Sequence, residues 1–174
     1  MGDATISGRS STPYFILQMQ SEEFLEWFSN KTGFITSNVK DGSQELSYVK
    51  SPSTEKLEFL SEWYTDDGKR FKDIQLSPLR TKIWYCCDGY LDWGKERANP
   101  VMRIASENES DRPEYLKSLF KERGFDARFT GNSLYFTVEE SKKVLDWIGT
   151  PPPGFEYKWV TESREKYKLL KSDR

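Results

Sequence analysis

Short runs of alternating hydrophobic and polar residues, each closed by a polar or glycine-bearing turn, fill most of the chain. Ala4 to Ser7 and Tyr14 to Gln20 read as two strands around the turn Gly8-Arg9-Ser10-Ser11-Thr12. Ser21-Glu22-Glu23 opens a helix with an apolar face of Phe24, Leu25, Trp27 and Phe28, and Gly33 stops it. Strands are expected over Ile35 to Lys40 and Glu45 to Lys50, flanking Asp41-Gly42, a dipeptide suited to a hairpin turn. Ser53-Thr54-Glu55 caps a helix carrying Leu57, Leu60 and Trp63-Tyr64, which Asp66-Asp67-Gly68-Lys69 ends.

The plan then recurs. Ser77 is an N-cap with Pro78 in the first turn, and the helix runs through Leu79, Ile83 and Trp84 to Cys87. Tyr90 to Trp93 and Val101 to Ser106 are strands around Gly94-Lys95-Glu96-Arg97-Ala98-Asn99. Arg112-Pro113-Glu114 begins a helix with Tyr115, Leu116, Leu119 and Phe120, closed by Gly124. Ala127 to Thr130 and Leu134 to Val138 flank Gly131-Asn132, and Glu139 to Ile148 is a helix ended by Pro151-Pro152-Pro153. The charged tail from Glu162 to Arg174 reads as a frayed helix or a disordered segment.

The two stretches match in places. Phe24 to Phe28 through Gly33-Phe34 resembles Tyr115 to Phe120 through Gly124-Phe125. Leu57 through Trp63 resembles Val144 through Trp147, and Gly68-Lys69-Arg70-Phe71 sits where Glu156-Tyr157-Lys158-Trp159 sits later. A repeat of this size is a duplicated half-domain. The expected division is a first half over 1–75, a second over 76–160 and a charged tail over 161–174. Each half opens at a carboxylate, Asp3 or Asp88, and two carboxylates meeting on a pseudo-two-fold axis could hold a divalent metal for phosphodiester chemistry.

Composition narrows the chemistry. The absence of histidine excludes Ser-His-Asp and Cys-His catalysis and histidine zinc sites. Aromatic residues make up 15% of the chain, enough apolar bulk for a core. The formal net charge of −2 counts against a generally basic nucleic-acid binder and leaves room only for a locally basic groove. The vicinal pair Cys86-Cys87 is poorly placed to bridge and reads as packing in a reduced, cytoplasmic protein. No signal peptide or membrane span is evident in the sequence.

The run Leu76-Ser77-Pro78-Leu79-Arg80-Thr81-Lys82-Ile83-Trp84-Tyr85-Cys86-Cys87-Asp88-Gly89 resembles the motif helix of the LAGLIDADG homing endonucleases, in the branch that carries a Trp-Tyr pair before Asp-Gly. Pro153-Gly154-Phe155-Glu156-Tyr157-Lys158 is similar to that branch's closing segment, and Met1-Gly2-Asp3-Ala4 to the last residues of a first motif helix. The resemblance covers most of the chain. It implies an α+β fold of two αββαββα halves, two central helices side by side, and saddle-shaped antiparallel sheets lying along double-stranded DNA with a long recognition site. Asp3 and Asp88 would then hold Mg²⁺ or another divalent cation. Lys69 and Lys158, with Gln18 or Gln20, would support the two sites. Bases would be read from Thr5, Ser7, Arg9, Tyr14, Ile16, Gln18, Lys40, Lys50, Tyr90, Asp92, Lys95, Arg97, Arg103, Arg128 and Thr130.

Here the first motif helix is nearly missing, because Met1 stands just before Asp3. The start could lie upstream, the chain could be a degenerate remnant, or a second chain could supply the helix, making a dimer of an otherwise monomeric protein. The resemblance implies a site-specific double-strand endonuclease of a free-standing or intron-encoded mobile element. The alternative is a non-cleaving nucleic-acid binder on the same fold, such as an RNA maturase or DNA-binding regulator, or an inactive fragment. Other readings of the same residues are plainer. Lys69 and Lys158 also read as solvated lysines near helix ends, Gln18 and Gln20 as polar positions of a half-buried strand, and Trp27, Trp63, Trp84 and Trp147 as core. Glu140-Ser141-Lys142 is a fragment of another nuclease signature, but lacks a strand-borne acid upstream and reads as an exposed first turn.

Overall fold

A computed structural model of the chain describes residues 4–7, 12–35, 37–42, 46–65, 68–69, 74–95 and 97–172. The chain divides into two compact units, Met1–Arg70 with Pro152–Gly154, and Phe71–Pro151 with Phe155–Arg174. The first contains β1 (Ala4–Ser7), β2 (Tyr14–Met19), α1 (Glu22–Thr32), β3 (Lys40–Asp41), β4 (Ser47–Lys50), a 3-10 helix over Glu55–Trp63, and a small ladder of β5 (Tyr64–Thr65) with β6 (Gly68–Lys69). The second contains α2 (Pro78–Asp88), β7 (Gly89–Asp92), β8 (Val101–Ala105), α3 (Pro113–Lys121), β9 (Ala127–Thr130), β10 (Ser133–Phe136), α4 (Val138–Ile148), a 3-10 helix over Glu156–Trp159, and α5 (Arg164–Ser172).

The repeat expected from the sequence is a repeat of topology. One antiparallel sheet has the order β1-β2-β4-β3 and the other β7-β8-β10-β9, so corresponding strands take corresponding places. The second unit reads helix, two strands, helix, two strands, helix, and the protein is of the α+β class. The two strand pairs expected in each half are therefore one four-stranded sheet, joined by β2 with β4 and by β8 with β10.

Alternation sets the two faces of each sheet. In the first, Leu17 and Val49 point inward and are buried with Phe24, Leu25 and Phe28 of α1. In the second, Leu91, Met102, Ile104, Leu134 and Phe136 line the core with Leu116, Leu119 and Phe120 of α3 and Val144, Leu145 and Ile148 of α4. Trp84 enters this core at 6.1 Å from Phe120. Trp27, Trp63 and Trp147 are half-buried.

The caps lie close to their sequence signals. Ser21 Oγ accepts from the Phe24 amide, and Gly33 ends α1 at φ 59. Ser77 Oγ accepts from the Arg80 amide, and Thr137 Oγ1 from the Glu140 amide, so α4 begins one residue before Glu139.

Four expectations are corrected or narrowed. The stretch after Ser53-Thr54 is a 3-10 helix, not an α-helix. Its inward residues Leu57, Leu60 and Trp63 recur every third position, which aligns on one stripe at three residues per turn and drifts off it at 3.6. The strand expected over Ile35 to Lys40 shrinks to Lys40–Asp41. Ser37 Oγ accepts from the Lys50 amide at 2.8 Å, so a side chain replaces a ladder carbonyl there. Asp41-Gly42 is not the turn, because Asp41 pairs with Ser47 in the ladder and the Gly42 amide donates to the Leu46 carbonyl at 2.7 Å. Finally, the tail forms α5, with Tyr167 packed 5.9 Å from Trp93 and 6.0 Å from Tyr157. Among the described residues no helix is long and apolar enough to cross a membrane.

Candidate functional site

Helix α2 delivers Asp88 to a corner. The N-cap Ser77 and Pro78 fix its start, and eleven residues later the chain leaves the helix at Asp88 and enters β7 at Gly89. Asp88 is half-buried there. A helix C-terminus is an unfavourable place for a carboxylate, because the last carbonyls carry partial negative charge.

Lys158 answers that charge. It stands on the 3-10 helix Glu156–Trp159, with only 6% of its surface exposed. Its Nζ donates to the carbonyls of Cys86 at 2.6 Å, Gly89 at 2.6 Å and Tyr85 at 3.3 Å. The rings of Phe155, Tyr85 and Tyr157 surround the ammonium at 5.1, 5.8 and 6.0 Å from their centroids. A desolvated cation is thereby compensated by carbonyl dipoles and aromatic faces. The reading of Lys158 as a solvated surface lysine is therefore wrong: it is a buried cap on the helix that carries Asp88.

Tyr85 returns the contact. Its hydroxyl donates to the Lys158 carbonyl at 2.9 Å, so each residue holds the other's main chain. Complete burial pushes the Tyr85 phenol well above its ordinary pKa, with further upward pressure from Cys86, Tyr167 and Tyr157. Gly89 is required by close approach: a Cβ there would lie 1.9 Å from Tyr85 Cδ2. Cys86 is buried and Cys87 half-buried beside this corner, and neither is in a disulfide.

The remaining candidates for acid, base or support belong to the chain's other unit. Gln18 is half-buried on β2 and Gln20 exposed just beyond it, and Lys69 ends β6. Asp3 lies outside the described residues, as does Arg9. The structure sets Lys158 on the backbone to either side of Asp88. Among the described residues no three acidic, cysteine or histidine side chains cluster as a metal cage.

The strand-borne candidates fall into register across the two sheets. On the first, Thr5 stands opposite Ile16 and Ile16 opposite Lys50, Ser7 opposite Tyr14, and Gln18 opposite Tyr48, which is opposite Lys40. The Lys50 ammonium lies 5.1 Å from the Tyr14 ring and 5.4 Å from that of Tyr48. On the second, one row crosses all four strands in the order Tyr90, Arg103, Tyr135, Arg128. The Arg103 guanidinium lies 4.9 Å from the Tyr135 ring. Thr130 stands one row on, opposite Ser133.

Asp92 anchors the end of this second face. Its Oδ1 accepts from the Gly94 amide at 2.9 Å, and its Oδ2 faces Arg103 Nε at 2.9 Å and an Arg97 terminal nitrogen at 3.5 Å. Partial burial opposes ionisation, but the Gly94 amide and the Arg103 and Arg97 guanidiniums outweigh it and hold the Asp92 carboxyl below its ordinary value. Arg164 of α5 donates to the carbonyls of Gly94 and Lys95 at 2.9 and 3.2 Å, tying the β7–β8 connection from the other side. Sequence reasoning missed Tyr48 and Tyr135 as members of these faces. Their parity along the strand was legible, but the cross-strand partners that set Tyr48 beside Lys40 and Tyr135 between Arg103 and Arg128 were not.

No family model matches the sequence, and no curated protein does either. Among solved structures, the chain is similar to the LAGLIDADG meganuclease I-AabMI bound to uncleaved DNA, with a TM-score of 0.53 and 9% sequence identity, over 98% of this chain and 86% of that one. At that identity the likeness is one of fold: the two units of matching strand order are an α+β arrangement similar to that of a LAGLIDADG meganuclease.

Proposed function

We propose that the protein is a site-specific, metal-dependent endonuclease acting on double-stranded DNA, of the homing type. One observation carries the reading: a helix ends on a carboxylate, Asp88, and the next residue begins a sheet whose open face carries Tyr90, Arg103, Tyr135 and Arg128 in a single row. Acid and nucleic-acid-facing surface are thus consecutive in the chain. The similarity in fold to a meganuclease bound to DNA supports the same reading.

A Mg²⁺ ion fits such a site better than a metal that needs a protein cage. Mg²⁺ is commonly held by one or two carboxylates and completed by phosphate oxygens and water. Asp88 is the ligand in the second unit, and Asp3 is proposed as its counterpart. When bound, the ion would supply Lewis-acid polarisation of the phosphate and a more acidic water. The protein's own part is positional. Lys158 and Tyr85 fix the corner that presents Asp88, and the outward cations attract the backbone. Lys69, Gln18 and Gln20 are proposed as supporting groups in the first unit.

The test is incubation of the purified protein and Asp88→Asn with Mg²⁺ and a randomised library of DNA duplexes, reading both bound and cut products. The proposal expects cutting by the wild type that vanishes in Asp88→Asn while binding persists. Binding without cutting in Mg²⁺ or Mn²⁺ would instead identify a non-cleaving nucleic-acid binder.

A further inference from the structure

We propose that Arg103 is the guanine-reading residue of the second sheet, and that Asp92 and Tyr135 hold its guanidinium in the plane required. The inference rests on the DNA-binding reading above and adds a base identity to it. Arg103 is on β8, an interior strand, and 20% of its side-chain surface is exposed. Its Nε is committed to Asp92 Oδ2 at 2.9 Å, and the guanidinium lies 4.9 Å from the Tyr135 ring. One edge and one face of the planar group are therefore occupied. The two terminal nitrogens make no hydrogen bond to the described residues, which leaves their N–H groups as a fork for a partner.

The carboxylate discriminates between possible partners of that fork. An arginine aimed at a phosphate gains from a positive surrounding, whereas Asp92 places a negative charge 2.9 Å from the guanidinium and would repel a phosphate beside it. A base edge carries no net charge. The guanine edge in the major groove presents two adjacent acceptors, O6 and N7, which match two parallel N–H groups. Adenine offers N7 beside an amino donor, thymine a single O4, and cytosine a donor that faces the cation unfavourably. Asp92 is itself held by the Gly94 amide and Arg97, and Arg164 ties the same loop, so the buttress has little freedom to swing away. Pre-organisation of this kind removes side-chain entropy that binding would otherwise cost.

The experiment uses the full chain in Ca²⁺ to follow binding. Duplexes are selected from a randomised library, and each guanine of the selected site is replaced in turn by 7-deazaguanine, which keeps the base pair and removes the N7 acceptor. One guanine is expected to lose roughly tenfold or more in affinity on this replacement with the wild type, and to lose nothing further with Arg103→Gln. Asp92→Asn is expected to weaken discrimination at that same position and no other. The proposal is overturned if no guanine responds to 7-deaza replacement with the wild type. It is equally overturned if Arg103→Gln lowers affinity for every sequence alike and reduces the salt dependence by about one ion, the behaviour of a phosphate contact. A library in which nothing is enriched sinks the DNA-binding reading as well, so the two failures are distinguishable.

Discussion

Lys158 is the residue on which the candidate site depends most. Its ammonium meets the carbonyls of Tyr85, Cys86 and Gly89 where α2 passes into β7, and the Tyr85 carbonyl also accepts from the Gly89 amide. Lys158→Met keeps the apolar stem and removes the donors. It is expected to lower stability by about 2–4 kcal/mol, measured by urea unfolding followed through tryptophan fluorescence. A loss of less than about 0.5 kcal/mol, within the range of ordinary surface substitutions, would mean the carbonyls are satisfied without it. Gly89→Ala tests the same corner by overpacking, since the added carbon meets the Tyr85 ring. Asp92 gives the acid limb. Its folded pKa lies below its unfolded value, so the unfolded chain binds more protons as pH falls. Its stabilising contribution is complete above the ordinary aspartate range, about pH 4–5, and disappears as pH drops through the lowered folded value. Asp92→Asn should therefore flatten the stability profile below about pH 4, read from melting temperatures across a pH series. A mutant profile parallel to the wild type would remove Asp92 from the account.

Between elements, a few side chains replace backbone partners. Ser141, on the exposed-looking run Glu140-Ser141-Lys142, is fully buried. Its Oγ accepts from the Met102 amide at 2.8 Å and donates to the Thr137 carbonyl at 2.7 Å, fastening α4 to β8. Ser141→Ala leaves the Met102 amide buried without an acceptor, a cost of about 1–3 kcal/mol. Ser118→Ala on the exposed side of α3 should stay within about 0.5 kcal/mol of wild type. Thermal melting of the two variants side by side decides the point, and equal melting temperatures would contradict it. The expected exposed first turn at Glu140 is thus half right. Lys142 is exposed, while Glu140 Oε2 accepts from the Asp126 amide and Ser141 turns inward. The 3-10 helix Glu55–Trp63 carries a similar lesson, because a spacing of three was visible in Leu57, Leu60 and Trp63 and was read as an α-helical face.

For the whole molecule, a net charge of −2 has to coexist with the proposed grip on DNA. The outward faces resolve this locally: Lys40 and Lys50 on one sheet and Arg103 and Arg128 on the other stand among Tyr48, Tyr90 and Tyr135. Lys50→Ala and Arg128→Ala are each expected to weaken binding evenly across sequences and to reduce the salt slope by about 1. Fluorescence anisotropy over a range of salt concentrations measures this. Slopes unchanged in both variants would move the contact surface away from these faces.

The sequence by itself determined the local grammar. Caps at Ser21 and Ser77, the glycine stop at Gly33, the Gly131-Asn132 hairpin and the alternating strands depend on interactions within a few residues, and so were legible without coordinates. The repeat was legible too, because it is a repeat of that grammar; the α+β class came with the resemblance, and the shared strand order was visible only in the structure. Tertiary structure alone decided which distant groups meet. Nothing near Lys158 in the sequence shows that it caps a helix more than sixty residues earlier, nor near Asp92 that it will hold an arginine on the next strand against a tyrosine from the third. Hydrogen bonds and ion pairs of this kind depend on the path of the chain between the partners, and a pattern read a few residues at a time carries no record of that path.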